Sequence, residues 1–351
     1  MRLGIWTPLP HTIRPERRME QAIAQLKEQG SGQGPDASFE FAVDVLQQAE
    51  RHGFDISLIA ARQLGPDLEA WTLASALASR TTNMELMVAV HPGINTPQMV
   101  AKMGASLDRI SGGRFSVNVV NGWNVDEFNI FGNGAWVESQ DDRYLRMDEY
   151  IQVMKGLWTQ ESFSFDGKFY RVQNGSLPLK TRRQPNPPIY TASRSAEGKE
   201  TIARYGDYWF VPDYTDYRRY HDTVERIRTE IAAMNERARR HGRKLGFGLS
   251  GHVICADTVE EAAARANELE AHGKLARYNK SAMAALGACL VGTADMIAER
   301  IRTYEELGIE VLMLHFHPML DGLDRFVEEI MPLLGRASTT GPNAMAMQSF
   351  R

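Results

Sequence analysis

Polar side chains inside or just beyond apolar runs are the first candidates for chemistry. Asn118 interrupts Phe115-Ser116-Val117-Asn118-Val119-Val120. A buried carboxamide is retained only where it is hydrogen-bonded, so Asn118 is either tied to a neighbouring strand or turned toward a ligand. Glu127 follows nine residues later, in Asp126-Glu127-Phe128, and read alone is a solvated loop carboxylate. His252 lies within Leu249-Ser250-Gly251-His252-Val253-Ile254. Such an imidazole is a satisfied core group or a proton carrier that titrates near neutral pH. His315 and His317 close another apolar run and share a face if the strand continues, but Pro318 ends it. His317, nearer the rim, is the candidate, and His315 the core alternative. These three histidines have no carboxylate or Cys at ligand spacing, so no metal is expected. Cys255 lies three residues beyond His252, on the opposite face of a strand, and reads as core rather than as a nucleophile's partner. Ser195 precedes the helical stretch Glu197–Arg204 and reads as its N-cap. No Gly-x-Gly-x-x-Gly follows a strand and no P-loop occurs, which removes the Rossmann and NTPase readings.

The elements that must position these groups alternate along the chain. Apolar runs at Leu3–Thr7, Ile56–Ala60, Met84–Val90, Phe115–Val120, Ile189–Ala192, Tyr208–Val211, Phe247–Cys255 and Val311–Phe316 read as strands buried on both faces. Amphipathic stretches follow them: Ser38–His52, Asp67–Ser79, Pro97–Ile110, Arg143–Thr159, Glu197–Arg204, Asp216–His241, Val259–Ala271, Thr293–Leu307 and Leu323–Leu334. Thr96 before Pro97 reads as an N-cap with a first-turn proline, Thr258 with Glu261 as a capping box, and Gly53 and Gly308 as helix stops. Eight strands, each with a following helix, predict a (β/α)8 TIM barrel with insertions rather than an open doubly wound sheet. One domain is expected over residues 1–336, with an insert at 11–37 and a hairpin insert at 160–188 signalled by Asp166-Gly167. Residues 337–351 are expected to be a flexible or subunit-swapped tail. In a barrel the chemistry sits at the C-terminal ends of the strands, where Trp6 and Trp123 are either apolar walls or core. Of 351 residues, 40 are Lys or Arg and 44 Asp or Glu, a formal charge of −4 that argues against nucleic acid as a partner. Two cysteines exclude a disulfide scaffold and Cys-based zinc modules. No apolar run reaches the ~18 residues of a membrane span, and the first strand lacks a cleavable signal pattern, so a cytoplasmic location is expected.

Arg109-Ile110-Ser111-Gly112-Gly113-Arg114-Phe115, followed by Asn118-Val119-Val120-Asn121-Gly122-Trp123 and Glu127-Phe128, resembles the reduced-flavin-dependent monooxygenases of the bacterial luciferase-like superfamily. The likeness is to the alkanesulfonate, dimethylsulfone and pyrimidine monooxygenase group. Asp142-Arg143-Tyr144, Phe165-Asp166-Gly167-Lys168-Phe169-Tyr170, Pro187-Pro188-Ile189-Tyr190, Leu290-Val291-Gly292-Thr293 and Leu307-Gly308-Ile309 follow in order, and the likeness runs to about Leu334. The resemblance implies reduced FMN (FMNH2) from a separate NAD(P)H-dependent flavin reductase, O2, and a small organosulfur substrate, a sulfone or sulfonate, with C–S cleavage as a further step. It implies flavin contacts from Ala61, Arg62, Asn118, Glu127, Arg143, Tyr144 and Ser195, and proton handling by His252 and His317. It also implies a homodimer or homotetramer. Ser195 and the N–H groups behind it can hold the FMN phosphate, which Arg194 can assist. Arg62 faces flavin or an anionic substrate group, or is a solvated loop residue; Arg143 can pair with Glu127 or Asp142. The alkanesulfonate enzymes have an Arg where this chain has Ser250, which weakens a strongly anionic substrate, and Thr191-Ala192-Ser193-Arg194 stands where relatives have glycines. A pyrimidine-type amide or heterocycle oxygenase, a non-catalytic flavin-binding barrel and a deazaflavin-using relative are the competing readings.

Overall fold

Short runs of Val, Ile, Leu and Met become strands here because both of their faces are buried. In the computed structural model, which describes residues 1–11, 20, 21, 23, 24, 28, 34–212, 216–275 and 285–336, the strands are β1 (Arg2–Trp6), β2 (Ile56–Ile59), β3 (Glu85–Val90), β4 (Phe115–Val119), β5 (Phe163–Asp166), β6 (Arg171–Gly175), β7 (Ile189–Thr191), β8 (Tyr208–Phe210), β9 (Gly246–Cys255), β10 (Val291–Gly292) and β11 (Val311–Phe316). The helices are α1 (Ala37–Arg51), α2 (Ala70–Arg80), α3 (Pro97–Ile110), α4 (Val125–Ile130), α5 (Gln140–Thr159), α6 (Ala196–Tyr205), α7 (Tyr220–Arg240), α8 (Val259–Leu275), α9 (Ala294–Glu306) and α10 (Met319–Arg325), the last continued by a π-helical turn at Phe326–Ile330. The main strands are parallel and alternate with helices, which is the (β/α)8 barrel; β5 and β6 form a separate antiparallel hairpin within 160–188. Most of the insert at 11–37 and the tail at 337–351 lie outside the described residues. No helix among the described residues is long and apolar enough to cross a membrane.

Local chemistry sets the helix starts. Asp36 accepts hydrogen bonds from the Ser38 and Phe39 N–H groups and opens α1. Thr96 caps α3 with Pro97 in the first turn, and the Glu261 N–H donates to the Thr258 hydroxyl at the start of α8. Glu69, not Asp67, caps α2, so that helix begins at Ala70. Ser139 caps α5 three residues earlier than its apolar periodicity suggests.

Two compact units divide the chain. One comprises Met1–Ser57, Asp213–Thr229 and Gly248–Arg351, the other Leu58–Pro212 and Glu230–Phe247. The first unit holds the parallel order β10-β9-β11-β1, with Ile254, Val291, Ala262 and Ala266 packing α8 onto β9 and β10. The second holds β3-β4-β7-β8. There Ala89 of β3 lies in register with Asn118 of β4, which in turn lies in register with Tyr190 of β7. Arg114 locks the start of this sheet by donating to the Ala78, Thr81 and Met84 carbonyls. Glu149 of α5 holds the hairpin's return by accepting three N–H groups, from Lys168, Phe169 and Tyr170, at 2.8, 2.8 and 3.0 Å.

Candidate functional site

The second unit gathers polar groups at the C-terminal ends of its strands. Asn118 is buried within β4, and its Oδ1 has no hydrogen-bond partner. Just past β2, Ala61 is buried and the Arg62 Nε lies 3.7 Å from Glu127 Oε1. The same carboxylate oxygen accepts from the Gln63 N–H at 3.2 Å. Glu127 is only 2 % exposed because α4, a single short helix capped by Asn124, turns it inward. The Arg62 guanidinium lies 4.8 Å from the centroid of the half-exposed Trp123 ring, a cation–π contact. His91, directly after β3, belongs to the same set: burial, reinforced by the Arg62 charge, pushes its imidazole down to about 4, so it is neutral at ordinary pH. Its Nδ1 has no hydrogen-bond partner, and neither polar atom of the Asn121 side chain has one.

A second polar cluster lies at the end of β7. The Ser193 hydroxyl donates to the Tyr144 hydroxyl at 2.7 Å and accepts from the Ser195 N–H at 3.2 Å. Ser195 caps α6 by accepting from the Gly198 N–H at 3.0 Å. The Trp209 indole N–H donates to the Ser193 carbonyl. Gly198 makes room for this cluster: a Cβ there would lie 2.1 Å from Ser193 Oγ and 2.4 Å from Tyr144 Cε1. The arrangement is a helix N-terminus fronted by two hydroxyls, chemistry suited to a phosphate. Arg194 is exposed. Arg143 does not join Tyr144: it donates to the Val137 and Glu138 carbonyls and lies over the Trp136 ring, holding the loop before α5. Asp142 pairs with Lys168 instead.

In the first unit, three rings stand side by side on β1, β11 and β9. Trp6 stacks on His315 at 4.4 Å between centroids, and His315 stacks on His252 at 4.6 Å, the two histidines being paired in register. The Trp6 indole N–H donates to Ser250 Oγ at 3.0 Å. Burial first, then the neighbouring His252 and His11, hold His315 well below the usual imidazole range. His317 stands apart from this column. It lines a cavity of ≈ 470 Å³ together with Cys255, Arg265, Glu268, Asp321 and Arg325. Cys255 is buried there, 3.8 Å from Glu329, and its thiol is pushed up to about 11, so it is no nucleophile at neutral pH. Among the described residues no group of His, Cys, Asp and Glu is arranged to hold a metal.

Thus Asn118, Arg62, Glu127 and Ala61 share one unit with Tyr144 and Ser195, whereas His252 belongs to the other. His91, Asn121 and Ser193 escape sequence reasoning. Only Asn121, within the specific Asn-Gly-Trp turn, carried a usable signal.

Comparison with known proteins follows the same lines. The family described as luciferase-like monooxygenase matches residues 19–310. An FMNH2-dependent dimethylsulfone monooxygenase of Pseudomonas putida is 30% identical over 323 residues, covering 83% of this chain and 86% of that protein. Among solved structures, EDTA monooxygenase from Chelativorans sp. BNC1 superposes with a TM-score of 0.74 at 20% identity, over 97% of this chain and 96% of the other. DmoA from Hyphomicrobium sulfonivorans gives 0.72 at 18% identity, over 96% and 88%.

Proposed function

The chain belongs to the luciferase-like monooxygenase family and is a flavin-dependent monooxygenase, and from that premise we propose that it oxygenates a small organosulfur compound, a sulfone or a sulfonate, with carbon–sulfur cleavage, using reduced FMN delivered by a separate NAD(P)H-dependent reductase. When bound, reduced FMN supplies the two electrons that let O2 give one atom to the substrate and release the other as water. The observation that carries the reading is the buried Asn118 carboxamide, whose Oδ1 has no protein partner at the catalytic end of β4. Buried polar atoms are rarely left unpaired, and a flavin bound at this strand end would complete this one.

Asn118 orients the flavin ring by hydrogen bonding. Arg62 puts positive charge near a ring that is anionic in its reduced form, and Glu127 fixes Arg62 in place. Ala61 keeps the approach to the ring small. Ser195, Ser193 and the first N–H groups of α6 receive the phosphate, with Tyr144 holding Ser193. Arg143 supports this set indirectly, through the 135–139 loop. His252 moves the proton that oxygenation requires, and His317 is the second candidate for that task. The relative of Pseudomonas putida is named for dimethylsulfone, and Ser250 supplies a neutral hydroxyl rather than a fixed cation beside His252, which favours an uncharged sulfone over a sulfonate.

The test is oxygen uptake by the purified chain with a flavin reductase, NADH and FMN, in the presence of dimethyl sulfone, methanesulfonate or neither. Substrate-dependent uptake with a sulfur product is expected for the sulfone. Uptake that no sulfur compound alters defeats the proposal.

A further inference from the structure

One hydrogen bond in the first unit has a direction that cannot reverse. The Trp6 indole N–H donates to Ser250 Oγ at 3.0 Å. An indole nitrogen is a donor only, whereas a hydroxyl carries one proton and two acceptor sites. Ser250 is therefore fixed as the acceptor of this pair, and its own proton is directed away from the indole. Among the described residues that hydroxyl has no other hydrogen bond. Both side chains are partly exposed, while Ile5, Leu249 and Gly251, on the opposite face of the same strands, are buried.

The sheet explains how the two meet. Strand β11 lies between β1 and β9, so Trp6 and Ser250 are two strand spacings apart, about 10 Å. Gly4 is in register with Met313, and Met313 with Ser250. One row further on, His315 is in register with His252, and the Trp6 ring lies on His315 with 26° between planes. The indole thus lies across β11 and reaches the strand beyond it. Gly4 leaves room beneath: a Cβ there would lie 2.1 Å from Met313 Sδ.

The spare proton selects for an acceptor. A serine bonded to another hydroxyl or to an imidazole can turn over and accept, and so reads a donor on its ligand equally well. Ser250 cannot do so while Trp6 holds its oxygen. A sulfone or sulfoxide oxygen completes the remaining bond, whereas a thioether sulfur is a weak acceptor. We propose that Trp6 is a positioning residue that makes Ser250 a dedicated donor, and that Ser250 thereby selects substrates with an oxygen on sulfur. The inference rests on the organosulfur reading above and adds to it the group that separates a sulfone from a sulfide.

The test is competition. Oxygen uptake by the full chain is driven with reductase, NADH, FMN and dimethyl sulfone, and dimethyl sulfoxide and dimethyl sulfide are titrated in as competitors. Both constants come from one preparation, so their ratio is independent of the fraction of chain that folds. In Ser250→Ala the preference for sulfoxide over sulfide should fall about tenfold from the parent's, the worth of one hydrogen bond that the sulfide cannot complete. Ser250→Thr, which keeps the hydroxyl, should retain the preference. Trp6→Phe keeps a ring on His315 and removes the N–H. There the preference should fall about threefold and the KM for the sulfone rise by a similar factor, with kcat keeping its pH inflections. A Trp6 that only packs would leave the preference in Trp6→Phe at the parent's value, and that result overturns the proposal. So does a preference that Ser250→Ala leaves intact. In either case sulfone-dependent uptake by the parent leaves the organosulfur reading standing. Uptake by the parent that none of the three compounds alters overturns both.

Discussion

Replacing Asn118 by Leu distinguishes a core tie from a ligand-binding group by sign. The two side chains have the same branched outline, so the shape cost of the swap is below about 1.5 kcal/mol. Asn118 is 7 % exposed and its Oδ1 has no partner, so the ligand-free protein carries the desolvation cost of an unmet acceptor, about 1–3 kcal/mol. Leu removes that cost. An unfolding entropy of about 2 cal/mol/K per residue makes each kcal/mol worth roughly 1.4 °C in a chain of 351 residues. The flavin-free variant should therefore melt at or up to about 4 °C above the parent. Affinity for reduced FMN should move the other way, falling about tenfold or more with the lost hydrogen bond. Calorimetry of the stripped protein and anaerobic fluorescence titration read the two effects separately. A lower melting temperature with unchanged affinity would mean that the carboxamide ties strands together, and the site assignment would fail.

Ser193→Ala removes the hydroxyl that links Tyr144 to Ser195; the preference for FMN over riboflavin in paired titrations should shrink about fivefold, and an unchanged ratio would move the phosphate elsewhere. Burial, and then the Arg62 charge, depress the His91 pKa in the folded protein to about 4 from the ordinary imidazole value of 6.5. The unfolded chain therefore binds its proton first, and the neutral form's stability is fully present above about pH 6.5 and declines as pH falls toward 4. The loss totals about 3 kcal/mol. Urea midpoints at pH 5 and pH 7 should differ more in the parent than in His91→Gln, and equal differences would contradict the burial argument. Glu149→Gln turns an amide N–H toward at least one of the three donors from Lys168, Phe169 and Tyr170; it should cost about 2–4 kcal/mol and speed proteolysis between 163 and 175, while unaltered cleavage would show the hairpin held by other contacts.

The strands were legible because stretches such as residues 86–90 and 311–314 are apolar throughout, as burial on both faces requires. Helix α4 was not, since Val125–Ile130 is too short to show a 3.6-residue period, and with it the burial of Glu127 was hidden. Read alone, that carboxylate looked solvated; its fate depends on a turn of helix and on Arg62, 65 positions away in sequence. Asn118 could be picked out because a polar residue in an apolar run contrasts with its neighbours. His91 offers no such contrast, since it stands at a strand end where polar residues are ordinary. What marks it is what surrounds it: Gly122, Phe128 and Arg62.

The histidines of the first unit show the same limit from the other side. His315 and His317 are two residues apart, and spacing alone favoured the one nearer the rim. Stacking decides otherwise for the aromatic column. Strand β11 keeps its ladder through Phe316, in register with Val253, so His315 is held between Trp6 and His252, while His317, past the strand end, turns to a different cavity. A proton placed on His315 would sit against two other imidazoles in a site that solvates it poorly. Under the function proposed above, His252 carries the proton and His315, stacked on it, is its neutral support. A pH profile of turnover in His315→Asn should keep the parent's inflections with a lowered plateau, and an inflection that vanishes in that variant would assign the proton to His315 instead.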